Sequence, residues 1–93
     1  MLYSKNNAAK EWIFRDIQKR FQGKVIQILD IGCGEGYKWK QFIVDNPSFY
    51  YLGIDTDTRA IEKSKPSEFD RMKFNVADGQ FFNSNPVDVV MTF

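Results

Sequence analysis

The stretch Ile28–Trp39, ILDIGCGEGYKW, constrains the fold more than any other part of the chain. It grows out of VIQILDI (residues 25–31), a β-branched and nearly continuous apolar run. Such a run suits a strand buried on both faces, as in a parallel sheet. Gly32, Gly34 and Gly36 follow directly. Glycines placed after a buried strand let the backbone turn sharply and approach a ligand closely. A helix starting near Tyr37 would turn its first amides toward that ligand. In open α/β sheets, ligands lie beyond the carboxyl ends of the strands, where the strand order reverses.

The rest of the chain supports this placement. Residues 6–21 read as an amphipathic helix, with Ala9, Ile13, Ile17 and Phe21 four apart, Trp12 flanking the stripe and Gly23 as a stop. Lys10, Glu11, Arg15, Lys19 and Arg20 form its solvated side. After the loop come a short helix (37–46), closed by Asn46-Pro47, and a strand (49–55) ending on Asp55. A second short helix is stopped by Pro66, and a strand (72–78) ends on Asp78. The loop GQFFNSNP then leads to a last strand, 87–93. Alternation of this kind predicts an α/β fold with a parallel sheet and right-handed crossovers. Asn85-Pro86 reads as a turn into that last strand.

Composition narrows the function. Ninety-three residues hold one domain with a modest core. A net charge of +1 gives no electrostatic reason to expect nucleic acid or a membrane surface. A single cysteine, Cys33, leaves no intrachain disulfide, and no Cys-based metal site is expected. The chain has no histidine, which removes the commonest general base and metal ligand. No stretch resembles a signal peptide or a transmembrane helix, so a cytoplasmic location is the default expectation. Cys33 reads as a small filler in the loop rather than a nucleophile, because Glu35 beside it disfavours a thiolate.

The loop itself excludes some ligands. A P-loop needs G-x-x-x-x-G-K-[ST], and the two-residue spacing here is wrong. A dinucleotide fingerprint needs G-x-G-x-x-G, and here the third glycine arrives one residue early, with Glu35 beside the turn. A pyrophosphate would be poorly served. LDIGCGEG resembles instead the first motif of the class I S-adenosylmethionine-dependent methyltransferases. YLGID, VADGQFF and PVDVVMTF match that family's next three elements in register. The resemblance runs from about Val25 to Phe93.

What the resemblance implies is a Rossmann-like open parallel sheet with helices on both faces, about four strands in the order 3-2-1-4. The cofactor would be S-adenosylmethionine. Asp30, Gly32, Cys33, Gly34 and Gly36 would hold its aminoacid end, with Asp30 ordering the loop and reaching the ammonium. Asp55 would accept from the ribose hydroxyls, and Thr56 would lie near the adenine. Asp78, flanked by Ala77 and Gly79, would take the adenine amino group. Tyr3 is a candidate for a mobile segment over the cofactor, while Trp12 and Trp39 should pack helices onto the sheet. The family's sheet has seven strands. The chain is therefore expected to be the N-terminal part of one methyltransferase domain, residues 1–23 an N-terminal helical segment and 24–93 a βαβαββ core. It would hold the cofactor half-site, with the catalytic base and the acceptor unidentified. The acceptor is expected to be a small molecule or similar. Two alternatives stand beside this: a non-catalytic cofactor-binding or interaction module, and half of an NAD-dependent oxidoreductase. Because the last apolar strand (87–93) has no covering element after it, its open edge is expected to favour self-association.

Overall fold

The computed structural model describes residues 1–5, 10–78 and 87–92. Five strands lie in one sheet: β1 (Leu2–Ser4), β2 (Ile26–Ile31), β3 (Phe49–Asp55), β4 (Met72–Val76) and β5 (Val89–Thr92). All pairings are parallel, in the order β1-β5-β2-β3-β4. Four of these strands reproduce the expected 3-2-1-4 order, and β2 sits at its centre. Three helices connect them: α1 (Lys10–Phe21), α2 (Lys40–Asp45) and α3 (Thr58–Ser64). No helix among the described residues is long and apolar enough to cross a membrane.

Period-two alternation sets the core. Ile26 and Ile28 on β2, Phe49 and Tyr51 on β3, Met72 and Phe74 on β4, and Val89 and Met91 on β5 are buried in one cluster. Ile13, Phe14 and Ile17 of α1, Ile43 of α2 and Ile61 of α3 belong to the same cluster, so all three helices contribute to one face. On the other face Leu29 and Ile54 are buried, but Tyr50 is exposed and Leu52 and Val90 are half-buried. Among the described residues the helix cover is thus concentrated on one side. Phe14 joins the buried stripe of α1 and stacks against Trp39 with ring centroids 4.2 Å apart. Trp39 packs as expected. Trp12 does not, being 51% exposed and touching Tyr3 edge-on.

The fifth strand corrects the sequence reading. Leu2–Ser4 pairs with Val90–Thr92, so the edge of the last strand, expected to be open for self-association, is covered by the chain's own N-terminus. Tyr3 lies in this strand, buried, and its hydroxyl donates to Asp16 at 2.5 Å, so it is a core residue rather than a segment over the cofactor. Two boundaries also shift. The helix expected from Tyr37 opens as a 3-10 turn over Gly36–Trp39 before α2 begins. β4 ends at Val76, with the Ala77 amide making the last ladder bond to the carbonyl of Asp55, so Asp78 lies two residues beyond the strand. The turn expected at Asn85-Pro86 lies outside the described residues.

Candidate functional site

The carboxyl ends of β2 and β3 converge on the glycine loop. Gly32 and Gly34 take φ of +69° and +50°, the left-handed region that favours glycine. Gly36 and Gly53 are needed for a different reason. A Cβ on Gly36 would collide with the Tyr51 hydroxyl and stand 2.9 Å from Phe74. One on Gly53 would stand 2.9 Å from both Cys33 Sγ and Phe74. The loop therefore folds down into the sheet, and the two glycines make room for it.

Two of the loop's amides are answered from within the protein. The Cys33 amide donates to the Ile54 carbonyl at 2.9 Å. The Gly34 amide donates to Asp55 Oδ2 at 2.8 Å. The second Asp55 oxygen accepts from the Asp57 amide at 2.9 Å. Asp55, expected as an acceptor for ribose hydroxyls, is found bonded to the loop itself. Asp57 caps α3 by accepting from the Arg59 and Ala60 amides. Ser64, buried on α3, donates to the Gly34 carbonyl at 3.5 Å.

Asp30 is fully buried beneath the loop. It accepts from the Lys5 ammonium and, at 2.5 Å, from the Tyr51 hydroxyl. Burial, and then the charge of Asp30, hold the Tyr51 phenol well above its ordinary range, so it stays a neutral donor. The Lys5 ammonium also donates to the carbonyls of Ile31 and Gly32, both at 3.1 Å. Neither Lys5 nor Tyr51 was expected at the site. For Tyr51 a signal existed: it shares a strand face with Gly53, the position that admits the loop. Lys5 had none, since it arrives through the pairing of β1 with β5.

Cys33 is buried against Gly53, and burial, followed by the charges of Asp30 and Asp55, pushes its thiol up to about 12. That fits a filler and no nucleophile. Glu35 is exposed and paired with Lys38 at 2.9 Å and Lys63 at 3.8 Å. Those lysines, Lys38 first, lower its carboxyl pKa. Its charge is thus partly offset by two lysines while it stays beside the turn. Thr56 and Asp78 are exposed at the same end of the sheet, and Ala77 is half-buried. Gly79 lies outside the described residues. Two clefts flank the loop. One, about 460 Å³, is lined by Glu11, Cys33, Glu35, Lys38 and Trp39. The other, about 390 Å³, is lined by Glu35, Asp57, Arg59, Ala60 and Lys63. Asp30, closed over by Lys5, opens into neither. Among the described residues no group of acids or cysteines is placed to hold a metal ion.

Solved structures share this fold. The chain aligns with the plantazolicin methyltransferase BpumL in complex with SAH at 26% identity and TM-score 0.68, covering 90% of this chain and 33% of that one. A TehB-like SAM-dependent methyltransferase from Corynebacterium glutamicum aligns at 22% identity and TM-score 0.65, covering 95% and 46%. PKMT2 from Rickettsia typhi in complex with AdoHcy aligns at 22% identity and TM-score 0.64, covering 73% and 14%. The chain therefore spans less than half the length of each. A sequence comparison with curated proteins finds no match. A family profile described as "Methyltransferase domain" matches residues 22–93, and with that match over most of its length the chain belongs to the methyltransferase domain family.

Proposed function

We propose that this chain is the cofactor-binding portion of a methyltransferase domain, and that the loop at residues 32–36 receives S-adenosylmethionine. The observation that carries the reading is the fate of the loop amides. A phosphate-binding loop leaves its N–H groups for the anion. Here the Gly34 amide is spent on Asp55 and the Cys33 amide on a carbonyl. What the site offers instead is carboxylate and carbonyl oxygen, which suits a ligand bearing an ammonium and hydroxyls and no phosphate. The family membership and the SAH bound to BpumL support the same ligand.

In this reading Asp55 keeps acceptor capacity for the ribose hydroxyls, since each carboxylate oxygen has lone pairs beyond its amide bond. Thr56 borders the adenine, Asp78 accepts from its amino group with Ala77 and Gly79 at the ring edge, and Gly32, Cys33, Gly34 and Gly36 line the aminoacid end above Asp30. When bound, the cofactor supplies an electrophilic methyl group on a sulfonium whose charge vanishes on transfer. The chain's own part is to hold the cofactor rigidly in place, which is where much of the catalysis of such a transfer originates. No acid is required for the leaving group, so a chain without histidine is adequate to this role. The acceptor is a small molecule or similar, and the net charge of +1 gives no reason to favour nucleic acid.

Calorimetric titration tests the reading. S-adenosylhomocysteine should bind and NAD should not, and Asp55→Ala should weaken the binding at least about tenfold. Binding of NAD without binding of S-adenosylhomocysteine would overturn it.

A further inference from the structure

The Lys5 ammonium occupies a site that any primary ammonium would fit. Its three N–H donors meet three acceptors: the Asp30 carboxylate, the Ile31 carbonyl and the Gly32 carbonyl. The left-handed turn at Gly32 presents these oxygens together, and Lys5 itself is only 5% exposed. We propose that Lys5 is an internal stand-in for the ammonium of the ligand, which has to expel it before the aminoacid end of the cofactor can seat. The inference rests on the cofactor reading above.

Two observations make the exchange practicable. Lys5 is delivered by the shortest strand of the sheet. β1 has three residues, lies at the sheet's edge, and exposes Leu2 and Ser4. Segments of this kind open locally at small cost. Asp30, by contrast, is costly to uncover. It is fully buried, and departure of Lys5 takes away the cation bonded directly to its carboxylate. Replacement of one ammonium by another restores the balance, so the exchange is driven by ligands that carry an ammonium and opposed for those that lack one. Two ammoniums cannot share the site, because they would compete for the same oxygens and repel. β1 thereby serves as a selectivity device. It keeps the buried carboxylate neutralised in the free protein and makes the ligand's amino group the condition for entry.

The test uses the full chain labelled with 15N at lysine. In the free protein the Lys5 ammonium, buried and fully hydrogen-bonded, should give a slowly exchanging signal, assigned by its loss in Lys5→Met. Saturation with S-adenosylhomocysteine should abolish that signal, while saturation with its deamino analogue should leave it in place. In calorimetry, Lys5→Met should bind S-adenosylhomocysteine about tenfold more tightly than the wild type, the gain expected when a competitor that fills about nine-tenths of the sites is removed. Persistence of the Lys5 signal with S-adenosylhomocysteine bound would overturn the proposal. So would a folded Lys5→Met that binds no more tightly. If Lys5→Met does not fold, Lys5→Arg assigns the signal, and the signal's response in the wild type decides. Failure of the folded wild type and variant to bind S-adenosylhomocysteine at all would remove the cofactor reading along with this one.

Discussion

Replacing Gly36 by alanine should reveal how tightly the loop is keyed to the sheet. The new Cβ would run into the Tyr51 hydroxyl and lie 2.9 Å from Phe74 Cε1, against an ordinary carbon–carbon separation of about 3.5–4.0 Å. Tyr51 cannot retreat easily, being 1% exposed and bonded to Asp30 at 2.5 Å. Overpacking of this kind costs about 1–3 kcal/mol. If the hydroxyl is driven off the carboxylate, a charge-assisted hydrogen bond worth about 1.5–3 kcal/mol is weakened as well. The stiffer unfolded chain of an alanine variant returns about 0.4–1 kcal/mol. The net expectation for Gly36→Ala is a loss of about 2–3 kcal/mol. Tyr51→Phe alone should lose about 1.5–3 kcal/mol with the same hydrogen bond. In the double variant the alanine methyl occupies the space the hydroxyl vacated, so the second substitution should add about 1 kcal/mol or less, a coupling well beyond the 0.3–0.5 kcal/mol of independent sites. Urea unfolding of the four proteins, with slopes compared to confirm a common unfolded state, measures this. Additivity of the two single losses would refute the contact between loop and strand.

Cys33 should resist a thiol reagent in the native protein at pH 8 and react promptly once unfolded, because burial pushes its thiol up to about 12; native reactivity matching a free thiol would count against the buried loop. Tyr3 is raised from 10.0 to about 12, by burial first and by its hydrogen bond to Asp16 second. A raised folded pKa means stability fully present below pH 10 and lost as the pH climbs from 10 toward 12, so melting temperatures should fall across that window and fall less steeply in Tyr3→Phe. Arg71 Nη1 donates to the carbonyls of Ile43, Asn46 and Phe49 at 2.7–2.9 Å, gathering the end of α2 against the start of β3. Arg71→Ala should lose about 2–3 kcal/mol in urea unfolding, and Arg71→Lys should recover less than half, since an ammonium lacks the guanidinium's planar spread of donors.

What was legible in the sequence is what local pattern encodes. The unbroken apolar runs located β2 and β3 within a residue, and Pro66 stopped α3 where a proline must. The position of Asp55 at the end of β3 was also readable, but its bond to the Gly34 amide was not. What escaped depends on partners distant in the chain. Leu2–Ser4 carries no strand pattern of its own, and becomes a strand because β5 offers an unpaired edge across nearly the whole length of the sequence. Lys5 reaches Asp30 only as a consequence. The 3-10 opening before α2 follows from the loop's descent into the sheet at Gly36, a packing demand that spacing alone does not show.

The orientation of charge around the loop explains why glycine spacing by itself was an ambiguous signal. Glycine supplies the turn, but the turn's chemistry depends on which atoms answer its amides. With the Gly34 amide bound to Asp55, 21 residues away, one of the loop's donors is already committed to a carboxylate. Glu35, which the sequence places beside the turn, lies between Lys38 and Lys63 at the border of both clefts, so its negative charge is partly offset there. Beneath the loop lies Asp30, its charge covered by Lys5 and Tyr51. On the proposed cofactor reading, Asp30 of β2 and Asp55 at the end of β3 supply the acceptors for a phosphate-free, ammonium-bearing ligand. The glycines only allow those acids to act at close range.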